Sequence, residues 1–183
     1  MPRSLLVLAL LVTTLAPAVA KEKEKDARAH ARLALDKYLV TRFRGADFKE
    51  YAPLVTWSAD EEPACSTLVR SYEVSEVRIK DKDTALATVV FVALGSYCPA
   101  GDEFQPAPHI ETVVFQLRHR SIFWQIEKSN RPGGQVDWRV VRDQLQQRAT
   151  GAGLAADKAR AADALRSLEW AGGAIGRTNG SRR

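Results

Sequence analysis

The sequence has little cysteine. Cys65 and Cys98 are its only two, and no Cys and His spacing in it would supply the three or four ligands a zinc ion needs. Its three histidines are scattered. His109 and Glu111, two apart, would share a face of a strand, but His30 and His119 fall elsewhere and add no third ligand, so neither a metal nor a cofactor is expected. No nucleotide-binding motif is present, and no serine sits in a nucleophile elbow, so no catalytic residue is assigned. The longest apolar run, Leu5 to Leu15, is interrupted by Thr13 and Thr14 and falls well short of the roughly 20 residues a membrane span needs, so no transmembrane anchor is expected. There is no internal repeat. Nor is there a basic stripe: bases and acids alternate in 21–28, 80–83 and 139–148, which describes solvated faces and speaks against nucleic acid as a partner.

What is present begins with an address. Arg3, the apolar run, and Ala18-Val19-Ala20 make the basic, apolar and small-x-small order of a signal peptide over 1–20, and Lys21-Glu22-Lys23-Glu24-Lys25 follows with charge. No cysteine stands at the cleavage site for lipid attachment. The chain is therefore expected to be exported, periplasmic or secreted. Without 1–20, which hold one base, Arg3, and no acid, 26 Lys and Arg face 22 Asp and Glu, a mild net charge of +4. Residues 21–183 suffice for one domain with a real core. Two cysteines in an exported chain point to one disulfide.

From Lys23 to Arg44, Ala27, Ala31, Leu35, Leu39 and Phe43 recur every four residues beside Ala34 and Tyr38, the stripe of an amphipathic helix that Gly45 ends. A short helix over 46–51 follows, with Asp47 as cap and Pro53 as stop. Leu54-Val55-Thr56-Trp57 is a brief β-prone run, and Asp60-Glu61-Glu62-Pro63 a polar loop. Asp47, Glu50 and 60–62 read as caps and solvated charges.

Two β-prone runs, 68–79 and 84–97, flank Lys80-Asp81-Lys82-Asp83 as a hairpin. Centred on that loop, Ile79 faces Thr84, Val77 faces Leu86, Val74 faces Val89 and Tyr72 faces Phe91. The same reflection sets Cys65 opposite Cys98, close enough for a disulfide. The apolar face changes parity near Ser75 and Glu76, the mark of a bulge. A second hairpin joins 111–117 to 122–128 through 118–121, so that Leu117 faces Ile122, Phe115 faces Trp124, Val113 faces Ile126 and Glu111 faces Lys128, with one face wholly apolar. Between the hairpins, Cys98 to Pro108 is expected as a proline-rich loop. Helices are expected over 136–149 and 154–170, and disorder from Gly172.

A long amphipathic helix, a short helix running into Tyr51-Ala52-Pro53-Leu54-Val55-Thr56-Trp57, and then Val74-x-x-Val77-x-Ile79, Asp83 to Val89 and Glu111 to Leu117 leading to Trp124-Gln125-Ile126 resemble the NTF2-like superfamily over about residues 27–130. The resemblance implies an α+β fold in which N-terminal helices pack in a curved antiparallel sheet, a cone often open as a pocket and often dimeric. The chain then divides into a signal peptide (1–20), an NTF2-like domain (21–134), a C-terminal helical extension (135–171) expected to cap the pocket or swap onto a partner, and a disordered tail (172–183). Tyr38, Trp57, Tyr72, Phe91, Phe115 and Trp124 would then line the concave face as ligand-pocket candidates. The superfamily hosts many functions, so the fold does not settle this one. The leading expectation is a non-enzymatic domain that binds a small apolar ligand or a protein partner. An isomerase or dehydratase using Tyr38 and a carboxylate, and a structural envelope protein forming a homodimer through the sheet, are the alternatives.

Overall fold

The structure is a computed structural model that describes the backbone of residues 6–127 and 134–178 and the side chains of 22–127 and 134–173. Helix α1 (Leu6–Phe43) leads to α2 (Phe48–Tyr51), then to 3-10 turns at Ala52–Leu54 and Ala59–Glu61. Five strands follow, β1 (Ser66–Asp81), β2 (Thr84–Cys98), β3 (Glu103–Arg120), β4 (Phe123–Ile126) and β5 (Gly134–Asp137), and then α3 (Trp138–Thr150) and α4 (Ala155–Thr178). The strands form one curled sheet in the order β4-β3-β2-β1-β5. The fold is α+β, as expected, but the sheet is mixed rather than antiparallel, because β5 runs parallel to β1 from Ser66↔Gly134 to Val69↔Asp137.

The four-residue stripe of α1 is what inserts it into the curl. Ala31, Leu35, Tyr38 and Leu39 are buried, with Ala27, Ala34 and Phe43 partly so, against Val89, Phe91, Val113, Phe115 and Leu117 from the strands. Gly45 ends α1 in the left-handed region at φ +73°, its N–H donating to the Arg42 carbonyl at 2.9 Å. A second core lies on the opposite face, where Leu68, Leu94, Tyr97 and Phe104 meet Val141 and Leu145 of α3 and Ala161, Ala164, Leu168 and Ala171 of α4. Adjacent residues Leu68 and Val69 point to opposite faces and enter different cores, so this end of the sheet is covered on both sides. The C-terminal helices thus pack behind the sheet and do not close over the aromatic residues.

In the first hairpin, Tyr72 faces Phe91 and Val74 faces Val89, as expected, but Val77 faces Ala87 and Ile79 faces Ala85. The tip is the two-residue turn Lys82-Asp83, one residue beyond the expected centre, and irregularities between Ile79 and Asp81 and between Val74 and Glu76 absorb the difference. The second of these also carries the parity change from Tyr72 and Val74 to Val77 and Ile79.

The second hairpin departs further. Its turn is Ser121-Ile122, Ser121 adopts φ +58°, and Leu117 faces Ile126 while His119 faces Trp124. Phe115 therefore lies opposite Ala87 and Val113 opposite Val89, both on β2. Glu111 lies opposite Phe91, and Lys128 is outside the described residues.

The expected proline-rich loop is largely strand: β3 starts at Glu103 and runs through Pro106 and Pro108. Those prolines are tolerated because, among the described residues, β4 covers only Leu117–Arg120 of β3, leaving an edge where no N–H need be donated. A register shift between Ala93 and Gly95 accommodates them. The β-prone run at Leu54 contributes one bridge, Val55 to Ile126, rather than a strand. Residues 135–137, expected to open the C-terminal extension with helix from 136, join Gly134 in pairing with β1 instead, and Asp137 caps α3 by accepting from the Arg139 N–H at 2.8 Å. Helix α4 continues to Thr178, taking 172–178 of the expected disordered tail into helix; 179–183 lie outside the described residues.

Candidate functional site

The six aromatic candidates share one core. Trp57 packs edge-on to Tyr38 (6.0 Å between ring centroids), Tyr38 to Phe115 (6.1 Å), Phe115 to Phe91 (6.4 Å), and Phe91 lies tilted on Tyr72 (6.1 Å). Phe43 extends the chain from Tyr72 at 4.6 Å, and Tyr51 joins at Tyr38 at 5.8 Å. Edge-to-face geometry at these spacings is the favoured packing of aromatic rings, so the rings pack on one another inside the curl. All six belong to that core, and Trp124 also borders an open cavity.

At the Trp57 end a polar cluster closes the aromatic chain. Arg42, one turn past Tyr38 on α1, stacks over the Tyr51 ring at 4.6 Å and donates from Nη1 to the Tyr51 hydroxyl. Its Nη2 pairs with Glu62 at 3.1 Å, and Glu62 Oε1 also accepts from Trp57 Nε1 at 2.6 Å. Burial pushes the Tyr38 hydroxyl up to about 12 and the Tyr51 hydroxyl upward too, against the opposing pull of the Arg42 guanidinium. Arg42 Nε is buried with no partner among the described residues. Tyr38 and a carboxylate are thus near each other, as an isomerase would require. Glu62, however, is held by an arginine and an indole N–H, which leaves it poorly placed to take a proton from a substrate.

The open cavity is a groove of about 370 Å³ at the lip of the curl. Helix α1 supplies His30, Leu33, Ala34 and Lys37, which recur at helical spacing on one face; Pro53 and Leu54 come from the 3-10 turn, and His119, Ile122, Phe123 and Trp124 from the β3–β4 hairpin. Leu33, Ile122 and Phe123 are 66%, 75% and 64% exposed, an apolar rim around a buried Trp124. The ring of His119 lies 5.1 Å from that of Trp124. A second depression of about 240 Å³ continues from the first through the shared residues His30, His119 and Trp124, and is bordered by Lys23, Asp26, Ala27 and Lys82. Sequence reasoning missed this groove because its rim depends on the Ser121-Ile122 turn, which lifts Ile122 and Phe123 out of the sheet's interior. Two histidines on different elements were its only advance sign.

His109 lies 4.0 Å from Glu111, and no group of three metal-ligating side chains occurs among the described residues. Cys65 and Cys98 are joined as a disulfide, with Cα atoms 4.2 Å apart. Among the described residues no helix is long and apolar enough to cross a membrane. Comparison of the chain with protein-family models, with curated proteins and with solved structures found no match.

Proposed function

We propose that this chain is an exported, NTF2-like binding domain whose lip groove takes a small apolar ligand. The observation that carries the reading is the rim of Leu33, Ile122 and Phe123 left in water around Trp124. Large apolar side chains clustered at a concavity mark a binding site more often than a solvated surface. A volume of about 370 Å³ lies at the lower end of the range for small-molecule sites. Export is supported by the 1–20 pattern and by the Cys65–Cys98 disulfide, which persists in oxidising compartments. The helix held in a curled sheet supports the NTF2-like resemblance.

Native mass spectrometry of protein recovered from its own exported fraction tests this. The expected result is a chain beginning at Lys21 with one disulfide and a retained small molecule, and quenching or shift of Trp124 emission when an apolar probe is added. A chain that retains nothing and leaves every apolar probe free overturns the reading.

A further inference from the structure

The charges around the groove are one-sided. Among its ten lining residues Lys37 is the one permanent cation, His30 and His119 add ring N–H donors, and none is acidic. Among the described residues Lys37 makes no ion pair, whereas its neighbours on α1, Arg32 and Asp36, are paired with each other at 2.9 Å. The adjoining depression adds Lys23 and Lys82 against Asp26, with Lys82 paired to Asp83 at 3.7 Å. An apolar trough with an unpaired ammonium at one end and no carboxylate along it favours an apolar chain that ends in an anion, because such a ligand buries its tail and meets a charge-assisted hydrogen bond at its head.

Resting on the binding reading above, we infer that the groove selects a monomeric straight-chain carboxylate. The carboxylate sits at Lys37 Nζ, and the alkyl tail runs between Leu33 and Phe123 over Trp124 toward the imidazoles of His30 and His119. The groove's modest volume fits a medium chain.

The test compares dodecanoate with dodecanol, both below the concentration at which they aggregate, by native mass spectrometry and Trp emission on the mature chain and on Lys37→Gln. Dodecanoate is expected to bind about tenfold or more tightly than dodecanol. Lys37→Gln is expected to remove that preference by weakening the carboxylate alone, with unchanged circular dichroism. Equal binding of acid and alcohol by the unaltered chain overturns this inference while the apolar-ligand reading stands. A preference that survives Lys37→Gln overturns the placement of the head group. Binding of neither overturns both readings, as does a mass of two chains that excludes both probes, since the groove would then be covered by a second copy.

Discussion

Arg42 and Glu62 meet at 3.1 Å with side chains only 12% and 19% exposed, so the ion pair that ties α1 to the turn before β1 is largely out of water. Removing one partner leaves the other charge desolvated without its counter-charge, held by the neutral Tyr51 or Trp57 side chain. Glu62→Gln or Arg42→Met is therefore expected to cost about 2 to 4 kcal/mol, and the double variant distinctly less than the sum of the two. Urea unfolding of the two single variants and the double one measures this; strict additivity would show that the pair does not act as a unit.

The disulfide closes a loop with a sequence separation of 33. Loop-closure entropy predicts that replacing both cysteines by serine lowers stability by about 3 to 4 kcal/mol, chiefly through the unfolded state. Thermal unfolding with and without reductant checks it, and the groove's ligand binding is expected to survive, because the bridge lies at the other end of the sheet from the β3–β4 turn.

All four tyrosines are held above their ordinary range, chiefly by burial: Tyr38 and Tyr97 up to about 12, Tyr51 and Tyr72 upward. For Tyr97, donation of its hydroxyl to Asp102 at 2.8 Å adds to the effect. Below the ordinary value of 10.0 the hydroxyl is neutral in both folded and unfolded chains and stability is unaffected. Above it the unfolded chain loses protons first, so stability falls from about pH 10 toward about 12. Tyrosinate absorbance is expected to rise together with loss of the near-ultraviolet circular dichroism; ionisation at the ordinary pH in a still-folded protein would contradict it.

Gly95 holds φ +152° where β2 bulges against Gln105 and Ala107 of β3, and a Cβ there would collide with the Gln105 carbonyl oxygen and the Ala107 nitrogen. Gly95→Ala is expected to cost about 3 kcal/mol or more, since the β3 backbone at Gln105 and Ala107 must move. A change under about 1 kcal/mol in the denaturation midpoint would be inconsistent with this packing.

Ile122→Ser and Phe123→Ser remove exposed apolar rim without emptying a core. Stability is expected to stay within about 0.5 kcal/mol, while apolar-probe binding falls severalfold. Loss of folding in either variant would mean these side chains serve the structure instead.

The parts of this fold legible in the sequence are those with a strong period. The stripe from Ala27 to Phe43 identified α1 and its buried face because nothing in it competes with the helical spacing. The cysteines were matched correctly although the centre of the first hairpin was misplaced by one residue. The irregularities that begin at Lys80 and Ser75 restore the expected pairing by Val74, and those beside Arg70 and Leu94 cancel one another before Cys65. In the second hairpin the turn was set two residues early. A strand repeats every two residues, and moving the turn by two preserves which side chains face inward. Val113, Phe115, Leu117, Trp124 and Ile126 are accordingly buried as expected even though their partners differ.

What could not be read depends on neighbours. Gln135 and Val136 become a strand only because the edge of β1 is free to receive them, and Pro106 and Pro108 are admitted to a strand because, among the described residues, no partner covers that stretch of β3 on its outer side. The aromatic residues of the concave face meet in one core. Composition announces that rings will meet, and only the structure shows the edge-to-face order in which they do.

The short reach of β5 has a consequence for solubility. It pairs with β1 only from Ser66 to Val69, so the outer border of β1 from Arg70 to Asp81 has no strand partner among the described residues. An open border of that length ordinarily invites another chain to add a strand and begin aggregation. Here Glu73, Glu76, Arg78, Lys80 and Asp81 stand exposed along it, and the irregularities at Ser75 and Lys80 break its line. The border is protected by charge and misalignment rather than by cover, so the hairpin can stay long, and hold the curl around α1, without becoming a template for its own copies.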